Sequence, residues 1–362
     1  MRRLFIYAAP LFFILSWWCL SFSRQSPAQN LIPMLGSKLP FNSEVQPIDR
    51  TRLFQALNGD FDLMTKLMLE WDLEAQLLRK KGYEGIRRLK AKRLLAHLRG
   101  APSPKSQKPL KYFPQTYLAA GILLALVEES SITSLPGGLR HYSRLFPNGK
   151  LDRIASDSDP HFLETIEGSD STLAFVSPYS DPCTLYAMQQ RSIPMVDLGC
   201  IATPEDLQKA VSAIGAATAA PEKAELLNTF IDSALIALEN HLATRRSQNR
   251  DVLYVNHHTI FSAPTNKTLM GHILTRLDIN RPLQARQSEG WSIPLDVEDI
   301  AALNPDCIIC VGPRGPLSEK LQGVKAALSG QIHFVDPGAQ GSPSQHFLLG
   351  MYDLYDILMR LP

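Results

Sequence analysis

From Lys111 to Pro362 short β-rich runs alternate with helices, and this alternation occurs twice, on either side of one long helical stretch. In the first round a helix over Thr116 to Glu128 is followed by strands over Ser131 to Leu135, Leu173 to Ser177 and Pro194 to Leu198. Each strand stops at a turn-forming residue: Pro136, Pro178 and Gly199. Such alternation predicts a mainly parallel sheet covered by helices on both faces. Residues Pro204 to Ser247 then read as helix, interrupted only at Ala219-Ala220-Pro221, and Pro221 suits the first turn of a second helix of about 25 residues. The second round runs strand Asp251 to Val255, helices Lys267 to Leu277 and Asp296 to Leu303, strand Asp306 to Val311, helix Leu317 to Ser329, strand Ile332 to Val335 and helix Gln345 to Leu361. The fold class implied is α/β, with an N-terminal lobe over 108–219, a connecting helix over 220–248 and a C-terminal lobe over 249–362. Ligands of open parallel sheets lie beyond the carboxyl ends of the strands, so function is expected in the loops that follow them.

The N-terminal part follows other rules. Arg2 and Arg3 precede an apolar run from Leu4 to Leu20, broken by Pro10 and followed by polar Ser21 to Gln29. That is the layout of a secretory signal over 1–28, with small residues for a peptidase at Ser26-Pro27-Ala28. The run is shorter than the roughly 20 residues of a spanning helix, which leaves an uncleaved anchor as the second reading. Cys19 stands where a lipidated cysteine would, although Trp18 before it is bulkier than that signal usually allows. Residues 29–48 carry Pro33, Gly36, Pro40 and Pro47 and read as a linker. Over 49–100 the pattern is helical, with Leu63, Leu67, Leu69, Leu73, Leu77 and Leu78 at helical spacing, an accessory segment before the first lobe. Between Arg79 and Arg99 nine Lys or Arg residues face one acid, Glu84, a solvated basic face or a surface for a membrane or partner.

Composition narrows the function classes. A net charge of +2 points to no nucleic acid or acidic partner. No Gly-x-Gly-x-x-Gly loop, nucleophile elbow or phosphate-binding Gly-Lys-Ser is present, which speaks against an enzyme. Five cysteines include Cys183 and Cys200, close enough in sequence to share a lobe and to form a bridge in an oxidising compartment. Cys307 and Cys310 lie in the apolar strand Cys307-Ile308-Ile309-Cys310-Val311, where positions three apart face opposite ways, so two buried small side chains are expected rather than a metal or redox pair.

The run Pro294-Leu295-Asp296-Val297-Glu298-Asp299-Ile300-Ala301-Ala302-Leu303-Asn304-Pro305-Asp306-Cys307-Ile308-Ile309 is similar to the helix, Leu-x-Pro-Asp turn and strand of class III periplasmic substrate-binding proteins of ABC importers. Those proteins serve vitamin B12, ferric siderophore and haem uptake. The Thr203-Pro204-Glu205-Asp206-Leu207 helix start, the helical linker, Val252-Leu253-Tyr254-Val255 and Ile332-His333-Phe334-Val335-Asp336-Pro337 fall in the family's order. The resemblance covers roughly Lys111 to Pro362. It departs in the first lobe, where Glu167-Gly168-Ser169-Asp170 stands in place of Leu-x-Pro-Asp.

The resemblance implies two Rossmann-like lobes with little hinge motion and a ligand in the cleft between them. The ligand-binding candidates on the expected cleft walls are Tyr112, His141, Tyr142, Arg144 and Tyr179 in the first lobe and His257, His258, Trp291 and Arg314 in the second. Aromatics beside Arg and His suit a large, flat, partly anionic ligand that carries iron or cobalt, with no further cofactor. The resemblance also places permease-docking carboxylates at Glu164 and Glu298, although acids at helix starts also serve the macrodipole. It implies a monomer in the periplasm, or held to the periplasmic side of the membrane, with an ABC permease as partner. The alternatives are a free-metal-ion binder on the same lobes, with His141, His257, His258, Asp181 and Asp336 as candidate ligands, and a two-lobed enzyme such as a glycosyltransferase.

Overall fold

The computed structural model describes residues 48–77, 94–99, 110–158, 170–243, 250–257, 260–281, 283, 290–312 and 319–361. The signal segment, Cys19, most of the basic stretch, and the candidates Glu164, His258 and Arg314 lie outside the described residues. From Ile48 onward the chain forms one compact unit.

The first lobe starts with strand β1 (Tyr112–Pro114) and helix α3 (Tyr117–Leu126), preceded in the chain by helices α1 (Arg50–Leu57) and α2 (Phe61–Leu77). Strands β2 (Leu135–Pro136), β3 (Asp157–Ser158), β4 (Leu173–Val176) and β5 (Met195–Asp197) follow, with helix α4 (Pro182–Gln190) between the last two. β1, β4 and β5 pair in parallel, and so do β2 and β3. A parallel bridge between Tyr112 and Ile132 ties the two groups together, so the strands run in the order β3-β2-β1-β4-β5. The expected strand over Ser131 to Leu135 is therefore shorter and later than its sequence suggests, and β1 was not expected as a strand.

Helix α5 (Pro204–Ala217) closes this lobe, and α6 (Pro221–Ala243) leads out of it, with the break at residues 218–220 as expected. Thr203 caps α5 in a reciprocal box with Asp206, and Pro204 occupies the first turn, where its missing N–H has no intrahelical partner to lose.

The second lobe is a sheet in the order β10-β9-β6-β7-β8, made of β6 (Val252–His257), β7 (Phe261–Pro264), β8 (Ser292–Leu295), β9 (Cys307–Val311) and β10 (Ile332–Val335). Only β10, β9 and β6 are parallel; β7 runs antiparallel to both β6 and β8. This meander departs from the mainly parallel sheet expected. Each of its two unexpected strands contains a proline, which usually argues against a strand. Pro294 is tolerated because β8 is the edge strand, and Pro264 because it ends β7. Helices α7 (Leu269–Arg276), α8 (Val297–Leu303), α9 (Lys325–Leu328), α10 (Pro337–Gln340) and α11 (Phe347–Arg360) cover the sheet. Asn304 ends α8 in the left-handed conformation at φ 43°, and its side chain accepts from Lys325 N, so the Asn304-Pro305-Asp306 turn is fixed from both sides.

β9 alternates as expected. Cys307 joins one apolar cluster with Ile309 and Val311, and Cys310 joins the other with Ile308. Burial pushes both thiols up, to about 12 and about 11, so they stay protonated and serve as small apolar side chains. Cys183 and Cys200 are free and exposed, with no bridge between them.

The accessory helices do not stand apart. Leu53, Ala56 and Leu57 of α1 and Met64, Leu67, Met68 and Trp71 of α2 are buried in the same cluster as α3, α6 and α11. Trp71 stacks on Phe230 of α6 with ring centroids 5.5 Å apart. Substituting Leu53→Ala is expected to lower the unfolding free energy of the whole unit by about 2–5 kcal/mol. Urea titration would show a single shifted transition, whereas an independent appendage would give a separate early one.

Candidate functional site

In the first lobe the strand order reverses direction between β1 and β4, and the carboxyl ends of β1, β2, β3 and β4 open onto one cavity of about 580 Å³. Its lining includes Gln115, Thr116 and Tyr117 after β1, Gly137 after β2, Ser158 at the end of β3, and Tyr179 to Pro182 after β4. This is the crevice where open α/β sheets hold ligands.

The loop after β4 is rigid for local reasons. Ser177 N donates to Ser180 Oγ at 2.9 Å, Ser180 N donates to Ser177 O at 2.9 Å, and Asp181 caps α4 by accepting from Thr184 N at 2.9 Å. Tyr179, inside this turn, is 55% exposed. Its ring meets Trp291 of the second lobe edge to face, with centroids 5.1 Å apart. Trp291, 56% exposed, is held by its own backbone: Thr265 N donates to Trp291 O at 3.0 Å, and Thr265 Oγ1 donates to Gly290 O at 2.8 Å. Desolvation, and then a hydrogen bond shared with the Cys200 thiol, push the Tyr179 phenol up to about 12, so it is a neutral donor at any physiological pH.

On the other side of Tyr117 a smaller cavity of about 130 Å³ lies where the lobes touch, between Tyr142 and Phe146 of the first lobe and Gly338, Ser342 and His346 of the second. Tyr117 lines both cavities, and its phenol donates to Gly137 O at 2.8 Å. Tyr142 sets its ring edge against Tyr117, 5.6 Å between centroids, and abuts Gly338. Arg144 is 88% exposed at its side chain and lies 3.6 Å from Asp336 across the lobes, a solvent-screened pair of small worth. Asp336 already accepts from Gly338 N and Ala339 N as the cap of α10. His141 is exposed beside these groups.

The remaining candidates fare differently. Tyr112 is only 5% exposed and packs on Phe175, because all three residues of β1 are buried on both faces; its assignment to the ligand is corrected. His257 ends β6 with its ring stacked on Phe261 at 4.4 Å. Glu298 is exposed on the first turn of α8, while Asp296 and Asp299 form the capping box there, so capping does not consume the Glu298 carboxylate. Among the described residues no three His, Cys, Asp or Glu side chains could hold a metal ion. Tyr117 ends the Tyr112 to Tyr117 stretch that was expected on the cleft wall, whereas His346, and Gln345 beside it, were not expected. The sequence carries no signal for these two.

The pattern of the periplasmic binding protein family matches residues 175–329. Among solved structures, the periplasmic heme-binding protein RhuT from Roseiflexus sp. RS-1 is 16% identical with a TM-score of 0.57, covering 69% of this chain and 97% of that one. FhuD2 from Staphylococcus aureus with bound ferrioxamine B is 14% identical at TM-score 0.57, covering 70% and 99%. The vitamin B12 binding protein BtuF of Vibrio cholerae is 14% identical at TM-score 0.53, covering 69% and 98%. No curated protein matches the chain. The fold is thus that of the class III periplasmic binding proteins which the sequence resembles, and the match is to binding proteins, not enzymes. No described helix is long and apolar enough to cross a membrane.

His346 supplies a pH dependence. Full burial, with nearby Lys150 adding to it, lowers its pKa from the ordinary 6.5 to about 3, so the folded protein keeps the ring neutral where the unfolded chain would protonate it. The stabilisation is complete above pH 6.5 and is lost as pH falls toward 3, at up to about 1.4 kcal/mol per pH unit. Unfolding free energies measured between pH 6.5 and 4 should fall more steeply in the wild type than in His346→Gln.

Proposed function

We propose that the chain is the extracytoplasmic substrate-binding component of an ABC importer, capturing an iron chelate, haem or corrinoid and delivering it to a membrane permease. The observation that carries this reading is the first-lobe cavity at the strand reversal, with Tyr179 from one lobe and Trp291 from the other in contact. A volume of about 580 Å³ falls within the ordinary range of small-molecule sites. Two half-exposed rings on rigid loops are an apolar, sequence-independent platform on which a macrocycle or a chelate's organic shell can stack. The metal arrives with the ligand, so the protein needs no ligand set of its own.

Delivery is assigned to exposed carboxylates. Glu298, free of the capping box, would meet basic residues of the permease, with Glu164 as its counterpart on the first lobe. The protein would work as a monomer held outside the cytoplasmic membrane. The matched family pattern and the fold shared with heme-binding, ferrioxamine-bound and vitamin B12 binding proteins support the class, and the cleft chemistry supports the ligand type.

The test is a titration of the chain from Gln29 with haem, cobalamin, ferrioxamine B and divalent metal ions. Trp291 is the exposed reporter, since Trp71 is buried against Phe230. One iron chelate or macrocycle should bind saturably and quench the fluorescence. Tyr179→Ala should weaken that binding by about tenfold, the loss expected for one stacking contact. Binding of a free metal ion alone, or of nothing in the set, rules out this ligand class.

A further inference from the structure

The α1–α2 hairpin lies outside residues 175–329 and has no part in the cleft, yet its turn sits where the two lobes meet. Asn58, in that turn, touches both. Its Nδ2 donates to Leu145 O of the first lobe at 3.0 Å, and its Oδ1 lies 3.4 Å from His346 Nε2 of the second. From the first lobe Lys150 Nζ donates to Asn58 O at 3.1 Å. Gln345, fully buried in the second lobe, completes the junction: its Nε2 donates both to Leu57 O of the hairpin at 3.2 Å and to Gly121 O of α3 at 2.8 Å. The approach is close. A Cβ on Gly59, which has φ +99°, would stand 2.8 Å from Ala125 O of α3. At the outer end of the hairpin Arg50 donates to both carboxylate oxygens of Asp353 on α11, at 2.8 and 3.3 Å.

We infer that the N-terminal hairpin is a staple that fixes the angle between the lobes, by bonding through Asn58, Leu57 and Arg50 to groups on both sides of the seam. The physical reason is directional. To open or twist the lobes would pull Gln345 and His346 away from acceptors and donors that water cannot replace, because both side chains are fully buried. A connecting helix alone resists bending but leaves rotation about its ends free. The hairpin removes that freedom, since it grips the first lobe at Leu145 and Lys150 and the second at His346 and Asp353. The cleft opening is thereby set before any ligand arrives, and this holds whatever the ligand is.

The test measures the interlobe distance in the full chain by double electron–electron resonance. Spin labels go at Gln189→Cys on α4 and Ala302→Cys on α8, both exposed, with Cys19, Cys183 and Cys200 replaced by serine. The stapled protein should give one narrow distance distribution. Asn58→Ala combined with Gln345→Ala should broaden it at least twofold, and Arg50→Ala should broaden it less. Should the double variant fail to fold, by circular dichroism, Arg50→Ala decides, because Arg50 lies at the partly exposed outer end of the hairpin and its loss leaves the buried bonds of Asn58 and Gln345 in place. Arg52→Ala is the control: it removes the ion pair with Glu70 inside the hairpin and should leave the distribution unchanged. A broad distribution in the unaltered protein, no broadening in Arg50→Ala, or equal broadening in Arg52→Ala would overturn the staple.

Discussion

The rest of the structure depends on the burial of helix α6. Leu227, Ile231, Ala234 and Leu238 form one buried stripe, and Leu226, Phe230, Ser233 and Ala237 form another, so more than one face of the helix is covered. It packs on α5 of the first lobe, on α2 of the hairpin and on α11 of the second lobe. A helix apolar over so much of its circumference has no solvent-stable state by itself, so it forms only together with its partners. One continuous cluster therefore runs through hairpin, first lobe and second lobe. The two-lobed outline is real in topology, yet the lobes are not independent folding units.

That shared core explains how the cleft loops can be both irregular and fixed. The turn after β4 is closed by Ser177, Ser180 and the Asp181 cap, and the turn after β10 by the Asp336 cap. In each the side chain supplies what the helix start lacks, through its Oδ1 oxygen. What the site then offers a ligand is chiefly aromatic: Tyr117, Tyr142, Tyr179 and Trp291. Asp181 and Asp336, named as candidate metal ligands, each cap a helix start.

Much of this was legible in the chain. Thr203-Pro204 and Pro221 announced their helices because capping chemistry is local, and Asn304-Pro305-Asp306 announced a turn for the same reason. Cys307 and Cys310 were read correctly because a strand alternates sides. The failures share a cause, which is that sequence patterns report one face at a time. Tyr112 belongs to a strand buried on both faces, so no alternation marked it as core. β7 and β8 are stabilised by pairing with each other, and their prolines fit only because of their place in the sheet. The hairpin's leucines predicted a helix and not its partner, and Gln345 and His346 are polar residues whose burial follows wholly from the seam they fill.

Two of the places where the described residues of the lobes meet have opposite chemistry. Beside the hairpin the lobes are joined by directional hydrogen bonds, directly from the Gln345 amide to Gly121 O and, through Asn58 of the hairpin, from the His346 imidazole to Leu145 O. At the other contact they are joined by two half-exposed rings in edge-to-face contact, worth about 0.5–1.5 kcal/mol and not confined to one geometry. On the reading proposed above, a ligand with a flat face replaces Trp291 against Tyr179 and recovers what it displaces, whereas parting Gln345 from Gly121 O costs the buried Gln345 amide an acceptor. On that reading the ligand enters at the aromatic side, and the polar seam, with the hairpin turn within it, is the side that holds still.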